Sequence, residues 1–296
     1  MKKEKKKEQK LKLFAYGMTA PAIMILLILS IFPLVYTIKN SFTDCYLLAK
    51  ESPSFVGIEN YQLILKDVNF RKAVCNTVKF TVWGVILETG FGLLTALFVN
   101  TFQKGNKAIR TMVLLPMLLP PVTVALIWQT MFSNNYGILN QILGCFHIQP
   151  INWLMDVKTA FFSILLIDVW QYMPLTFLLI YAALQTVPEV QYEAASIDGA
   201  GGFQKFLHIT LPNIRDAMVM VILLRTIDTF RLFDKVNILT KGGPANTTAT
   251  ITQYIYQHGT KNFQIGYASA ASVIMTVIVL LLSAGYLKQT LKKGKI

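Results

Sequence analysis

Six long apolar stretches constrain this chain more than any other feature of it. A hydrocarbon core about 30 Å thick takes about 20 residues of helix to cross. Stretches of that length run from about Phe14 to Ile38, Phe80 to Asn100, Thr111 to Phe132, Ala160 to Leu184, Ala217 to Phe233 and Tyr267 to Leu287. The expected fold is an all-α integral membrane protein with six transmembrane helices. Only 15% of the 296 residues are charged and 54% are apolar, against about 25% charged in soluble domains. A soluble enzyme, a disordered chain and a secreted disulfide scaffold are excluded on that ground.

The net charge of +13 does not point to nucleic acid. Seven of the 28 Lys and Arg residues fall in the first twelve positions and four in the last nine. Basic ends flanking apolar spans are the pattern of cytoplasmic tails apposed to membrane lipid, and no folded basic module is present. Placing the amino terminus inside puts Lys104, Lys107, Arg110, Lys205, Arg215, Lys288, Lys292, Lys293 and Lys295 on the inner face. The longer outer loops then hold fewer basic residues, Lys235 and Lys241 among them. Both termini come out cytoplasmic, and the protein belongs in the cell membrane. The Lys-rich start is followed by an apolar run too long for a cleaved signal, so the first span reads as an anchor. Residues 1–13 form a basic tail, 14–79 the first span and an outer loop, 80–288 a core of five spans, and 289–296 a second basic tail. Cys45, Cys75 and Cys145 form no metal spacing. A bridge between Cys45 and Cys145 is allowed by this topology but not demanded.

Proline marks spans 3 and 4. Pro116, Pro120 and Pro121 break the third, and Pro174 interrupts the fourth. Simple packing curvature and a helix shaped around a pathway are both open readings. The inner loop 186–215 carries more information. Thr186 and Glu189 have capping-box spacing with Pro188 in the first turn, predicting a helix to about Ile197. Gly199, Gly201 and Gly202 then predict a turn, and a second short helix runs from about Phe203 to Ile209 and stops before Pro212. Such a helix-turn-helix either folds onto its own bundle or serves as a docking knob. No phosphate-cradling glycine pattern is present, so the chain is expected to bind no ATP.

The segment EAASIDGAGGFQKFLHITLP resembles the cytoplasmic signature of permease subunits in bacterial ABC importers. Glu193, Ala194, Ala195, Asp198, Gly199, Ala200, Gly201, Phe206, Ile209, Leu211 and Pro212 match it one by one. A proline usual a few residues later is missing, and Asp216 stands near there. NWL at 152–154, DVWQYMP at 168–174, FDKVNILTKGGP at 233–244 and YASAAS at 267–272 look like the maltose- and lactose-type branch. The resemblance implies a type I ABC importer permease fold. It implies that Glu193 contacts an ATP-hydrolysing subunit, that Gly199 makes the turn of the coupling loop, and that movement between inward- and outward-facing states follows. It also implies the partners: a second permease subunit in a heterodimer, two ATP-binding subunits that hold the ATP and Mg, and an extracytoplasmic solute-binding protein.

Ionisable residues inside spans are costly and face a cavity or a partner. Span 5 carries Arg225, Asp228 and Arg231, with Asp234 at its outer end, each three residues apart. This stripe either neutralises itself against other helices or lines a water-filled path. A sugar needs acceptors, donors and an aromatic surface. Asp168, Gln171, Tyr172, Phe230 and Arg231 supply those types, and sugar-carrying relatives imply that the region of Met117 joins them. Glu88 is a lone carboxylate in span 2. It is either a partner for an arginine of span 5 or a group near water, and it receives no role. KGGPAN at 241–246 reads as a turn. No nucleophile–base or metal constellation supports a membrane-bound enzyme. The expectation is a carbohydrate importer subunit. Within the branch that the chain resembles, glycerol phosphate esters are the alternative solute; Arg231 would also suit a phosphorylated or acidic one. A self-sufficient secondary transporter or channel is the rival class, although no internal repeat supports it.

Overall fold

A computed structural model describes residues 2–102 and 106–293. Lys104 and Lys295, counted above as inner basic residues, and the side chains of the amino-terminal tail lie outside that description. The helices, in chain order, are α1 (Lys2–Ser41), α2 (Glu59–Lys66), α3 (Val68–Asn100), α4 (Asn106–Leu118), α5 (Pro121–Met131), α6 (Ile138–Cys145), α7 (Ala160–Leu184), α8 (Glu189–Ile197), α9 (Gly202–Lys205), α10 (Leu211–Phe230), α11 (Asp234–Leu239), α12 (Ile251–Tyr256) and α13 (Ile265–Lys293). Among the described residues there is no β-strand, only an isolated bridge between Thr43 and Phe55. Cys45, Cys75 and Cys145 are free.

The chain divides into two units. One comprises residues 1–66 and 255–274, the other 67–254 and 275–296. In the first, Asn60 Nδ2 donates to the carbonyls of Ser41 and Thr43 at 3.0 and 2.9 Å, closing the end of α1. Ser54 donates to both carboxylate oxygens of Asp44, which holds that carboxyl below the usual range. The amide of Gly266 donates to the Cys45 carbonyl. A side chain there would collide with the Thr43 carbonyl.

The second unit is built around α3 and α7, with α10 against both and α4 against α7. Its helices are inverted relative to those of a soluble protein. The buried stripe of α3 runs Ala73, Thr77, Thr81, Gly84, Glu88, Gly92, Ala96 and Val99, at steps of three and four. Trp83, Ile86, Phe91, Leu94 and Phe98 point outward. Lipid is as apolar as leucine, so small residues that let backbones approach define the interface. Gly92 is the closest approach: a Cβ there would stand 2.7 Å from Thr176 Cγ2 and 2.9 Å from the Phe177 backbone nitrogen.

Span 4 falls where expected, as α7. Span 2 begins earlier, because Asp67 caps the amide of Asn69 at 2.7 Å and α3 starts at Val68. Span 3 is broken more sharply than a kink: α4 and α5 meet at 94°. Pro120 and Pro121 stand at the N-cap and first position of α5, where a missing N–H costs nothing. Pro174, by contrast, does not interrupt α7, which runs through it with that proline buried. Neighbouring helices accommodate a proline where they pack around it.

The pair Gly92→Ala and Gly90→Ala separates packing from helix propensity. Nothing lies within 4 Å of a Cβ at Gly90, so Gly90→Ala should leave thermal stability in detergent unchanged or raise it by up to about 1 kcal/mol. Gly92→Ala should cost about 1–3 kcal/mol through overpacking.

Candidate functional site

Two apolar clusters bracket a charged layer in the second unit. One gathers Phe80, Ile164, Ile167, Leu232 and Val236 with Trp128 and Phe132. The other gathers Ala96, Phe177, Ile180, Ile214 and Val221. Along α3, α7, and α10 with the short break that follows it, the charged residues fall between members of the two clusters. Glu88 lies between Phe80 and Ala96, Asp168 between Ile167 and Phe177, and Arg225 between Val221 and Leu232. On α10, Arg225 stands about 21 Å along the helix from Leu211.

The pairing in this layer is specific. Arg225 Nε donates to Glu88 Oε2 at 2.5 Å and its Nη2 to Glu88 Oε1 at 3.0 Å, a two-point fork that ties α10 to α3. Lys235 Nζ donates to Asp168 Oδ1 at 2.5 Å, tying α11 to α7. All four side chains are at most 2% exposed. Arg225 also reaches Asp228 at 3.4 Å and Thr229 Oγ1 at 3.3 Å. Both cations lie over the ring of Tyr172, Arg225 Cζ at 4.5 Å and Lys235 Nζ at 4.3 Å from its centroid. Cation–π contact of this kind is strongest where water is excluded.

Beside the layer opens a cavity of about 270 Å³. Asp168, Tyr172, Arg225, Asp228 and Arg231, all expected from the sequence, line it. So do Pro121, Thr229, Asp234 and Lys235. Phe230 does not; it is buried in the bundle. Gln171 is buried too, and its Nε2 donates to the Leu119 carbonyl at 3.0 Å, capping the break between α4 and α5. Met117 is half-buried on α4 and is not among the lining residues. Glu88, given no role from the sequence, proves to be the arginine's partner behind the cavity wall. Lys235 corrects the sequence reading outright. It counted there as an outer-loop charge, yet a short break after α10 is followed by α11, which carries it into the protein. The KGGPAN turn is present, with Lys241, Gly242, Ala245 and Asn246 all at positive φ. Asn76 Nδ2 pins it to α3 through the Asn246 and Ala249 carbonyls.

The 186–215 segment forms a helical knob. The α8 helix ends at Ile197, and Gly199 takes φ +76°. The amide of Ala200 donates to the Ala195 carbonyl and that of Gly199 to the Ser196 carbonyl, the two bonds of a Schellman stop. Lys205 Nζ then reaches Ser196 Oγ at 2.7 Å, and the Tyr192 and Thr210 hydroxyls meet at 2.8 Å. Two sequence expectations fail here. No capping box forms, since Pro188 is the N-cap of α8 and the Thr186 hydroxyl bonds the Ala183 carbonyl instead. Nor does the second helix stop before Pro212. It passes through a π-helical turn, Phe206–Thr210, into α10. The wider turn lets the Leu211 amide reach the Phe206 carbonyl and relieves the clash a proline ring makes in a regular helix. Glu193, Ala194, Asp198, Gly199, Gly201 and Pro212 are exposed, while Ala195, Ala200, Phe206, Ile209 and Leu211 are half-buried. Ile197 is 87% and Phe203 74% exposed.

The comparisons with known proteins agree with this architecture. The family described as binding-protein-dependent transport system inner membrane component matches residues 88–292. The trehalose/maltose transport system permease protein MalF of Thermococcus litoralis is 37% identical over 273 residues, 92% of each chain. The arabinooligosaccharides transport system permease protein AraP of Bacillus subtilis is 31% identical, over 92% of this chain and 87% of that one. The sulfoquinovosyl glycerol transport system permease protein SmoG of Agrobacterium fabrum is 32% identical, over 94% and 90%. In fold, the chain is similar to a subunit of a bacterial ABC transporter that imports the acidic polysaccharide alginate, with TM-score 0.86 and 23% identity over 97% of this chain and 98% of that one.

The Glu88–Arg225 fork is testable by a double-mutant cycle. Glu88→Ala and Arg225→Ala should each cost about 3–5 kcal/mol by stranding a buried charge. The double variant should lose clearly less than the sum, read as melting temperature in detergent; simple additivity would show that the two groups do not pair. This chain belongs to the family of binding-protein-dependent inner-membrane transport components and has the fold of a type I ABC importer permease subunit.

Proposed function

We propose that this permease subunit translocates a carbohydrate across the cell membrane by alternating access, within an ATP-driven importer. The observation that carries the reading is the cavity at the charged layer. It sets carboxylates, cationic donors, a hydroxyl and the Tyr172 ring around one space between apolar layers. Sugars are bound by such mixtures of donors, acceptors and aromatic surface. Similar permeases named for trehalose/maltose and for arabinooligosaccharides support the same solute class. At about 270 Å³ the cavity is smaller than the roughly 300–1,000 Å³ of complete ligand pockets. A site shared between this chain and a second permease subunit accounts for that size.

The rest of the assembly follows from the same reading. Two ATP-binding subunits hold ATP and Mg and take up the knob formed by α8 and α9, with Glu193 at the contact. The exposed Ile197 and Phe203 give that knob an apolar face of the kind interfaces bury. A solute-binding protein delivers the sugar on the opposite side; a similar alginate transporter has been solved in complex with a pentasaccharide-bound periplasmic protein. The knob and both termini then face the cytoplasm. This chain hydrolyses nothing itself.

Co-purification tests the assembly. Tagged at its carboxyl terminus and extracted in mild detergent, the chain should bring down an ATPase, a second permease and a solute-binding protein. Recovery of the chain alone, active in vesicles without ATP, would replace this reading with a secondary transporter. Gly199→Val places a β-branched side chain at φ +76°, at a cost of about 1–2 kcal/mol. Together with Phe203→Asp it should abolish ATPase recovery while leaving the helical content unchanged by circular dichroism.

A further inference from the structure

A second cavity, of about 330 Å³, opens at the far end of α5. Gln129 and Thr130 of α5, the segment that follows them, Leu154, Met155 and Leu239 at the end of α11 form its wall. The charged cavity uses the same two helices, through Pro121 and Lys235. Residues four apart share a helix face. Pro121, Ala125 and Gln129 therefore follow one side of α5, and Lys235 and Leu239 one side of α11. The two helices pack on each other, so both cavities lie along one seam, with Gln129 about 12 Å beyond Pro121. Ala125, Trp128 and Val236, buried in one apolar cluster, come between them. In the orientation proposed above, the second cavity is the outer one.

The two linings differ in kind. Three acids and three bases line the charged cavity, whereas no acid or base lines the outer one. Gln129, Thr130, Ser133, Asn134 and Tyr136 give it uncharged polar groups instead. The side chains of Gln129, Ser133 and Tyr136 make no hydrogen bond among the described residues. Thr130 Oγ1 donates to the Leu126 carbonyl at 3.1 Å and Asn134 Nδ2 to Asn152 Oδ1, which leaves the Thr130 and Asn134 oxygens as acceptors. The Tyr136 side chain is largely exposed. A lipid tail here would strand these polar groups, and an ion would meet no opposite charge. A neutral ring bearing hydroxyls finds donors, acceptors and an aromatic surface together. The volume is that of a small-molecule pocket, roughly 300–1,000 Å³.

The geometry points to an outer carbohydrate subsite, separate from the charged cavity, that takes one neutral, hydroxyl-bearing ring of the solute before it moves inward along the α5–α11 seam. Gln129 and Ser133 bond the ring hydroxyls, and Tyr136 covers an apolar face of the ring. This rests on the carbohydrate reading above and adds a station to it.

The test uses the complete importer in lipid nanodiscs without its solute-binding protein, with Cys45, Cys75 and Cys145 changed to serine. One reporter thiol is placed at the rim of the outer pocket by Met155→Cys, and in a second sample one is placed at the charged cavity by Arg231→Cys. A methanethiosulfonate reagent modifies each while maltotriose, raffinose or arabinotriose is titrated. At least one sugar should slow modification of Met155→Cys at least about fivefold. Adding Gln129→Ala and Tyr136→Ala, both at exposed positions, should raise the half-protecting concentration at least about threefold without lowering the melting temperature. Protection of Arg231→Cys alone overturns the outer subsite and leaves the carbohydrate reading standing. Protection of Met155→Cys that survives the two alanines intact also overturns it, because the sugar then acts from elsewhere. Protection of Met155→Cys by sugar-free solute-binding protein and by no sugar makes the pocket a protein contact, and overturns the subsite as well. Protection of neither thiol by any of the three sugars overturns the carbohydrate reading itself, and the subsite with it.

Discussion

A charge in hydrocarbon must find its opposite, and in this protein four buried charges do so across four helices. Glu88 on α3 meets Arg225 on α10, and Asp168 on α7 meets Lys235 on α11. Removing water raises the cost of leaving either partner alone, so each pair acts as a registration mark. A slip of α10 by one turn would carry Arg225 about 5.4 Å from Glu88 and strand both. The apolar clusters on either side exclude water from the pairs, and the pairs fix the height at which the clusters meet. Tyr172 joins the two by lying under both cations.

Small side chains let this layer form. Gly92 brings α3 onto α7 at the backbone of Phe177, and Gly84 sits one Cβ away from the Thr229 methyl and near Asp168 Oδ2. With larger residues the helices would stand too far apart for a side chain to bridge them. Close approach and charge pairing are therefore one design: the glycines set the spacing and the ions set the register. The cavity opens where α5 begins after its sharp break, at Pro121.

Much of this was legible in the residues. Apolar run length located the spans, because the bilayer sets a length scale independent of tertiary structure. The EAASIDGAGGF signature identified the knob, and Gly199 does take the left-handed turn its place in that motif implies. Asp168, Tyr172, Arg225, Asp228 and Arg231 do converge on one cavity. Three things were hidden. Lys235 follows a short break that hydropathy reads as the end of a span, so its burial depends on where α11 packs. Gln171 and Phe230 have the right chemistry for a sugar but lie on helix faces turned to the bundle, and face is decided by packing between helices. The π-helical turn before Pro212 left no pattern, since proline is read locally as a stop and only the widened backbone shows why it is not one.

That continuity gives α9, the π turn and α10 a mechanical character. From Gly202 to Phe230 the backbone is helical without interruption. The rod thus formed is about 40 Å long. A loop in its place would absorb a displacement in a few dihedral rotations. A helix instead passes it along its axis nearly undiminished, and its single soft element is the widened turn near its start. The rod joins Phe203 to Arg225, about 33 Å apart along its length. The exposed knob and the buried ion pair are the two ends of one strut.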